Sequence, residues 1–291
     1  MTALIESTRT GPSPGGGATS PNIPESLAAA PSAVQRQLSA FAWAIVGIAI
    51  AIGAWAIVTA LVHGLPTPAA SAHDFAHRIA HPFYKAGPGD QGIGLQLGTS
   101  LIRVFTGFAA AVVIGVPVGL LMGASGRAFQ AANPIVQILR PVSPLAWFPI
   151  WLIALKNTSH AAIFVIFITS LWPIVVNTAA GASSIPDDQR NIARVFQIRR
   201  IAYLRHVLVP NALPQMITGM RLSMGTAWMV IVAVEMLSGS SGIGYFVWNE
   251  YNAGDLTGVV SAIVLIGLVG FGLDLCFLKA AKRVSTGQAA S

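Results

Sequence analysis

RPVSPLAWFPIWLIALK, residues 140–156, is the stretch that decides the fold. Long apolar blocks lie on either side of it, so whether it belongs to a crossing fixes the number of spans at five or six. That number in turn fixes whether the two chain ends share one side of a bilayer. Pro141, Pro144 and Pro149 remove backbone donors from an otherwise membrane-length apolar run, so the helix is expected to be kinked or partly unwound. Irregular backbone at membrane depth is tolerated where protein or a watery cavity surrounds it. The stretch therefore reads as a broken third span, near 131–155, forming the wall of a pathway.

Working outward, the remaining apolar blocks lie near 41–62, 98–123, 159–182, 212–237 and 258–279. With about 20 apolar residues needed per crossing, the chain reads as an all-α membrane protein of about six transmembrane helices. Composition agrees: 54% of the 291 residues are hydrophobic and mean hydropathy is +0.68, too oily for an ordinary soluble surface. The lone Cys276 excludes an internal disulfide framework and a cysteine zinc site. Residues 1–38, with GPSPGGGATSPNIPES, cannot bury a core and are expected to form a disordered tail. The first apolar block lacks a compact basic leader and a small-residue cleavage site, so it reads as an uncleaved span. Residues 39–283 then make the transmembrane domain, and 284–291 a second tail.

Six crossings place both termini on one side, and the basic residues choose which. Arg9, Arg36, Arg127, Arg190, Arg194, Arg199, Arg200, Arg205, Lys279, Lys282 and Arg283 fall on the side of the termini, against Arg78, Lys85 and Lys156 on the other. Positive residues stay inside. Both termini, and the loop 183–211, are therefore expected in the cytoplasm.

Within that loop, QRNIARVFQIRRIAYLRHVLVP (189–210) holds five arginines in a chain only 9% charged. Ile192, Val195 and Phe196 share one helical face, and after QIRR a second face restarts with Ile201, Leu204 and Leu208. Two short helices meeting at a bend fit this pattern. IPDD (185–188) offers a start signal, acidic residues suiting the positive end of a helix dipole, and VPNALP (209–214) closes the unit. Nucleic-acid binding lacks the stacking aromatics. A plain solvated loop explains the arginines but not the regular apolar spacing. A docking element for a soluble partner, with apolar anchors ringed by arginine, explains both.

NTAAGASSIPDDQRNIARVFQIRRIAYLRHVLVPNALPQMITGMRLSMGTAWMVIVAVEML (177–237) resembles the cytoplasmic loop and following helix of permease subunits of type I binding-protein-dependent ABC importers. NIARVF, LRPVSPLAWFPI (139–150), HPFYKAGPGDQGIGLQL (81–97) and SGIGYFVWNEYN (241–252) are similar to the branch that handles nitrate, nitrite, bicarbonate, sulfonates and taurine. The likeness covers about residues 40–285. One departure stands out: the general signature opens Glu-Ala-Ala and later carries a glycine, where this chain has Asn191, Ile192 and Ala193, with Gln197 and Ile198 at the glycine's place. The resemblance implies that the loop docks on an ABC ATP-binding subunit through Asn191, Ala193, Arg194, Val195, Phe196, Arg199, Arg200, Ile201 and Leu204. It also implies a two-fold pair of permeases, a periplasmic solute-binding protein, location in a bacterial inner membrane, and alternating access driven by ATP.

No GxxxxGK[ST] motif occurs, so the chain is expected to bind no cofactor; ATP and Mg would sit on the partner ATPase. No catalytic constellation is visible. Ionisable residues at membrane depth are costly and therefore default to functional candidates. Arg103, Arg140, Arg221 and Glu235, with Trp147, are the candidates for an anion pathway, since the guanidinium fork matches a flat oxyanion. Internal ion pairs, Arg221 with Glu235 or with Asp274, are the competing reading for the charges, and core or interfacial packing the competing reading for Trp147. His73, His77 and His81 recur every fourth residue, a spacing that can hold a metal, but no carboxylate or cysteine follows the same spacing, so no metal is expected. The combined expectation is a permease for a small anion, nitrate or nitrite first, with bicarbonate, sulfonate or taurine as alternatives. A secondary carrier without ATP would need an inverted repeat, and none is evident.

Overall fold

The structure is a computed structural model that describes residues 33–62, 64–87, 91–185, 188–189 and 195–289. Among the described residues, five helices are long and apolar enough to cross a membrane: Phe41–Leu61, Ile93–Ala124, Thr158–Ser183, Ile201–Ser238 and Leu256–Arg283. The chain divides into two units, one ending at Ala54 and one starting at Trp55. The first holds most of α1 (Ala33–Leu61), a helix apolar all round whose Trp43, Ile48 and Ile50 are exposed.

The second unit begins with α2 (Pro68–Ala80), capped by Thr67, whose hydroxyl accepts from the Ala70 amide, with Pro68 in the first turn. Next comes α3 (Ile93–Ala124), which packs on α6 (Thr158–Ser183) through small residues at every fourth position: Gly107, Ala111, Gly115, Gly119 and Gly123. A Cβ on Gly107 would lie 2.7 Å from the Ile163 carbonyl oxygen, and one on Gly119 would lie 2.6 Å from Cβ of Thr178. Lipid tails offer helices no hydrophobic incentive to associate, so backbone approach of this kind is what holds them together.

The segment that decides the span count is two helices, α4 (Gly126–Leu139) and α5 (Pro144–Leu155), bent by 91°. By length and composition the pair counts as a sixth span only if both helices belong to one crossing. The break at residues 140–143 falls at Pro141 and before Pro144, which opens α5 where a missing amide costs nothing. A kink was expected within 131–155; the structure starts the broken unit earlier, at Gly126, and turns it through a right angle. Pro149, by contrast, sits inside α5.

After α6, the chain enters α7 (Arg200–Tyr203), a π-turn (Leu204–Leu208) and α8 (Val209–Ser238) without a gap. VPNALP thus lies within continuous helix rather than closing a separate unit. Proline at the second position of α8 tolerates this, because the preceding π-turn has already shifted the hydrogen-bond register. Two short packing sites bind α6 to α8: Gly181 faces Ala212, and Gly219 faces Pro173 and Asn177. The buried Ser223 hydroxyl donates to the Ser170 carbonyl at 2.9 Å. A glycine-rich turn leads to α9 (Ile243–Asn252) and then α10 (Leu256–Ala289), which remains helical six residues past residue 283. Trp228 Nε1 on α8 donates to the Ile266 carbonyl of α10 at 3.0 Å, over Gly270. Val104, Ile166, Ile231, Ile243 and Ala262, from five different helices, meet in the main core.

Candidate functional site

The charged residues that the sequence singled out at membrane depth fall, among the described residues, into two ion-paired centres and one arginine without an ion pair. The first joins α3, α8 and the turn before α9. Arg103 Nη1 donates to Glu235 Oε1 at 2.8 Å and to the Ser241 carbonyl at 2.7 Å, while Nη2 reaches the hydroxyls of Ser159 and Ser241 at 2.9 and 2.7 Å. Glu235 is fully buried. Its other oxygen accepts from the Ser100 hydroxyl at 2.7 Å and the Gly244 amide at 3.1 Å. The amides of Gly242 and Ile243 are taken up by Gln96 Oε1 and Ser100 Oγ. Gly242, at φ 108°, lies so close to the Glu235 carboxylate that a Cβ would overlap it. A buried charge pair needs its remaining donors and acceptors met; Arg103 Nε is buried without a partner among the described residues, while the pair's other hydrogen bonds position the glycine-rich turn and the start of α9.

The second centre is Arg221 and Asp274, a two-point pair at 2.6 and 2.9 Å between α8 and α10. It borders a cavity of about 370 Å3 that Trp228, Phe271 and Phe277 also line. This is one of the internal pairs weighed from the sequence; the other candidate partner of Arg221, Glu235, is held by Arg103 instead.

Arg140 is different. It caps α4 at the elbow, is exposed, and has no ion pair or side-chain hydrogen bond among the described residues. Trp147, further along on α5, is half-buried and packs against the main core.

The anchors expected on the loop 183–211 point outward: Val195 is 77% exposed, Phe196 73%, Ile201 79% and Leu204 41%. Arg199 is exposed as well. Between the two apolar groups Gln197 adopts φ 47°, the left-handed region that ordinarily favours glycine. This is where the general family signature has its glycine, and it puts the expected bend in the backbone. Asn191, Ala193 and Arg194 lie outside the described residues, as does the side chain of Arg200.

On the opposite side sits a cluster that reading the sequence missed. Arg78 on α2 meets Asp74 at 2.8 Å, Glu250 at 3.2 Å and Asp255 at 2.8 Å, and stacks over the Phe246 ring. Ser261 donates to Asp74 at 2.6 Å. Burial pushes Glu250 above the usual carboxylate range despite Arg78. Burial also pushes Asp255 upward, but the amides of Gly258 and Thr257, together with Glu250 and Arg78, outweigh it and leave Asp255 lowered. Part of this was visible in advance, since Asp74 and Arg78 stand four apart on one helix face; the partners more than 170 residues away were not. His77 and His81 border this cluster with ring centroids 5.8 Å apart. No group of three metal-ligating side chains occurs among the described residues.

Comparison with known proteins accords with this arrangement. Residues 96–286 match the family model described as binding-protein-dependent transport system inner membrane component. The nitrate import permease protein NrtB of Synechocystis sp. is 42% identical over 237 residues, covering 80% of this chain and 86% of that protein. The bicarbonate transport system permease protein CmpB of Synechococcus elongatus is 43% identical over 197 residues, covering 67% and 71%. Among solved structures, an inward-facing MetNI methionine ABC transporter superposes with a TM-score of 0.58 at 19% identity, covering 66% of this chain and 95% of that one.

Proposed function

The chain belongs to the family of binding-protein-dependent transport system inner membrane components, and from that premise we propose that it forms the translocation pathway of an ABC importer for nitrate or nitrite. The observation that carries the anion is the 42% identity to a nitrate import permease across four-fifths of the chain. Bicarbonate is the second reading, favoured by the 43% identity to a bicarbonate permease over a shorter stretch. Both are small, flat, singly charged oxyanions.

On this reading the chain is a non-catalytic membrane subunit. A partner ATP-binding subunit takes hold of the loop at Val195, Phe196, Ile201 and Leu204, whose outward anchors support docking. A second permease copy completes the pathway. A binding protein delivers the anion to the outer mouth of an inner-membrane complex with both termini in the cytoplasm. Domain-scale rocking of the helices, driven through the loop, opens the pathway alternately to each side.

The test is ATP hydrolysis by the complete complex in proteoliposomes, with its binding protein present, on adding nitrate, bicarbonate or taurine. Nitrate is expected to stimulate most. Stimulation by bicarbonate alone replaces the first reading with the second, and stimulation by none of the three removes the anion-import reading.

A further inference from the structure

Charge balance at membrane depth singles out Arg140. Among the described residues, two carboxylates lie in the spans, Glu235 and Asp274, and each is held by its own arginine, Arg103 and Arg221. None is left for Arg140. A second copy of the same chain brings no spare carboxylate at this depth either, because its own are paired in the same way.

Arg140 lines an open cavity of about 390 Å3 with Val142, Thr169, Trp172, Thr226 and Met229. At a rise of 1.5 Å per residue, Thr169 lies about 17 Å along α6 from its outer end, and Thr226 about 18 Å along α8 from Ser238. In a hydrocarbon core about 30 Å thick, the cavity is therefore near the midplane. An unpaired guanidinium there is expensive unless water or a counter-ion meets it.

We propose that this cavity is an anion subsite, in which the Arg140 fork takes two oxygens of a singly charged, flat oxyanion at mid-membrane. A trigonal oxyanion matches the fork's two parallel donors. Thr169 and Thr226 now donate their hydroxyls to backbone carbonyls of their own helices, at 2.7 Å to Val165 and at 2.9 Å to Ser223. Rotation about one bond turns either toward a bound anion. Val142 and Met229 leave the rest of the wall apolar, a poor exchange for the hydration shell of a divalent anion such as sulfate. One arginine with no carboxylate holds the cargo weakly enough to release it, as a pathway requires.

The proposal rests on the import reading above, and the experiment keeps the two apart. The complete complex, with its ATP-binding subunit and binding protein, is reconstituted with wild-type chain, Arg140→Ala or Arg140→Lys, and ATP-driven uptake of nitrate and of bicarbonate is measured against assembled complex. Uptake is expected to fall at least about tenfold in the alanine variant, with lysine intermediate because charge remains but the fork is lost. The saturating concentration, set by the binding protein, stays unchanged. Alanine uptake within about twofold of wild type overturns the subsite and leaves the import reading standing. If the wild type carries bicarbonate rather than nitrate and alanine abolishes it, the subsite stands and the nitrate reading falls. If the wild type carries neither, both fall. Should the alanine complex fail to assemble, lysine decides: reduced uptake supports the fork, and wild-type uptake overturns it.

Discussion

At the scale of single residues, Glu235 shows how a charge can be both buried and structural. Its carboxylate accepts from Ser100, Arg103 and Gly244, so changing it to methionine strands Arg103 and frees two hydrogen-bonded partners at once. Glu235→Met is expected to destabilise the protein by about 3–5 kcal/mol, and Arg103→Met by a similar amount, while the double variant costs less than either alone. Thermal unfolding of the purified protein in detergent would register this as a partial recovery of Tm in the double variant; additive losses would contradict it. None of this pairing was legible from spacing, because Arg103 and Glu235 lie on different helices. The sequence offered four ionisable pathway candidates, Arg103, Arg140, Arg221 and Glu235, with Asp274 as a competing partner, and only the geometry divides them into partnered and unpartnered.

Among the elements, the α3–α6 interface is the one most easily broken. Its glycines are small because the opposite backbone occupies the space. Gly119→Val should drive the helices apart and cost roughly 1–3 kcal/mol or more, with loss of the assembled complex on size-exclusion chromatography. Gly98→Ala on the same helix meets nothing within 4 Å and is expected to elute like the wild type; equal behaviour of the two variants would show that the close approach does not matter. The bent pair α4–α5 belongs to the same scale. Its prolines announced a disruption, but its right angle was not legible, since an angle depends on what the two halves pack against. The continuity of α7 into α8 was likewise hidden, because the π-turn that absorbs the proline leaves no mark in hydrophobic periodicity.

For the whole molecule, the five long apolar helices were readable because lipid imposes a length and an apolar composition that few other environments do, while the bent pair α4–α5 adds a sixth only if both halves belong to one crossing. The apolar spacing of the loop was readable too, and Val195, Phe196, Ile201 and Leu204 are indeed exposed; the docking role is proposed for them because apolar residues exposed to water need a partner. Phe196→Asp combined with Ile201→Asp is therefore expected to abolish co-purification of the ATP-binding subunit and ATP-driven uptake, while the chain itself is still made and still elutes as before. Retained co-purification would remove the loop from the interface. The clamp at Arg78 escaped the sequence because its members come from both ends of the chain and meet only once the bundle has formed. The spacing of the α3–α6 contact sets a further property of this bundle. Four residues advance an α-helix by about 400°, some 40° past a full turn, so the line from Gly107 to Gly123 slants steadily around α3. The positions it meets on α6, Ile166, Ile174, Thr178 and Ala182, also recur in steps of four or eight. Two straight rods cannot follow slanted lines side by side; they must cross, and always with the same hand. The interval between small residues thus fixes the chirality with which the central pair of helices winds through the membrane.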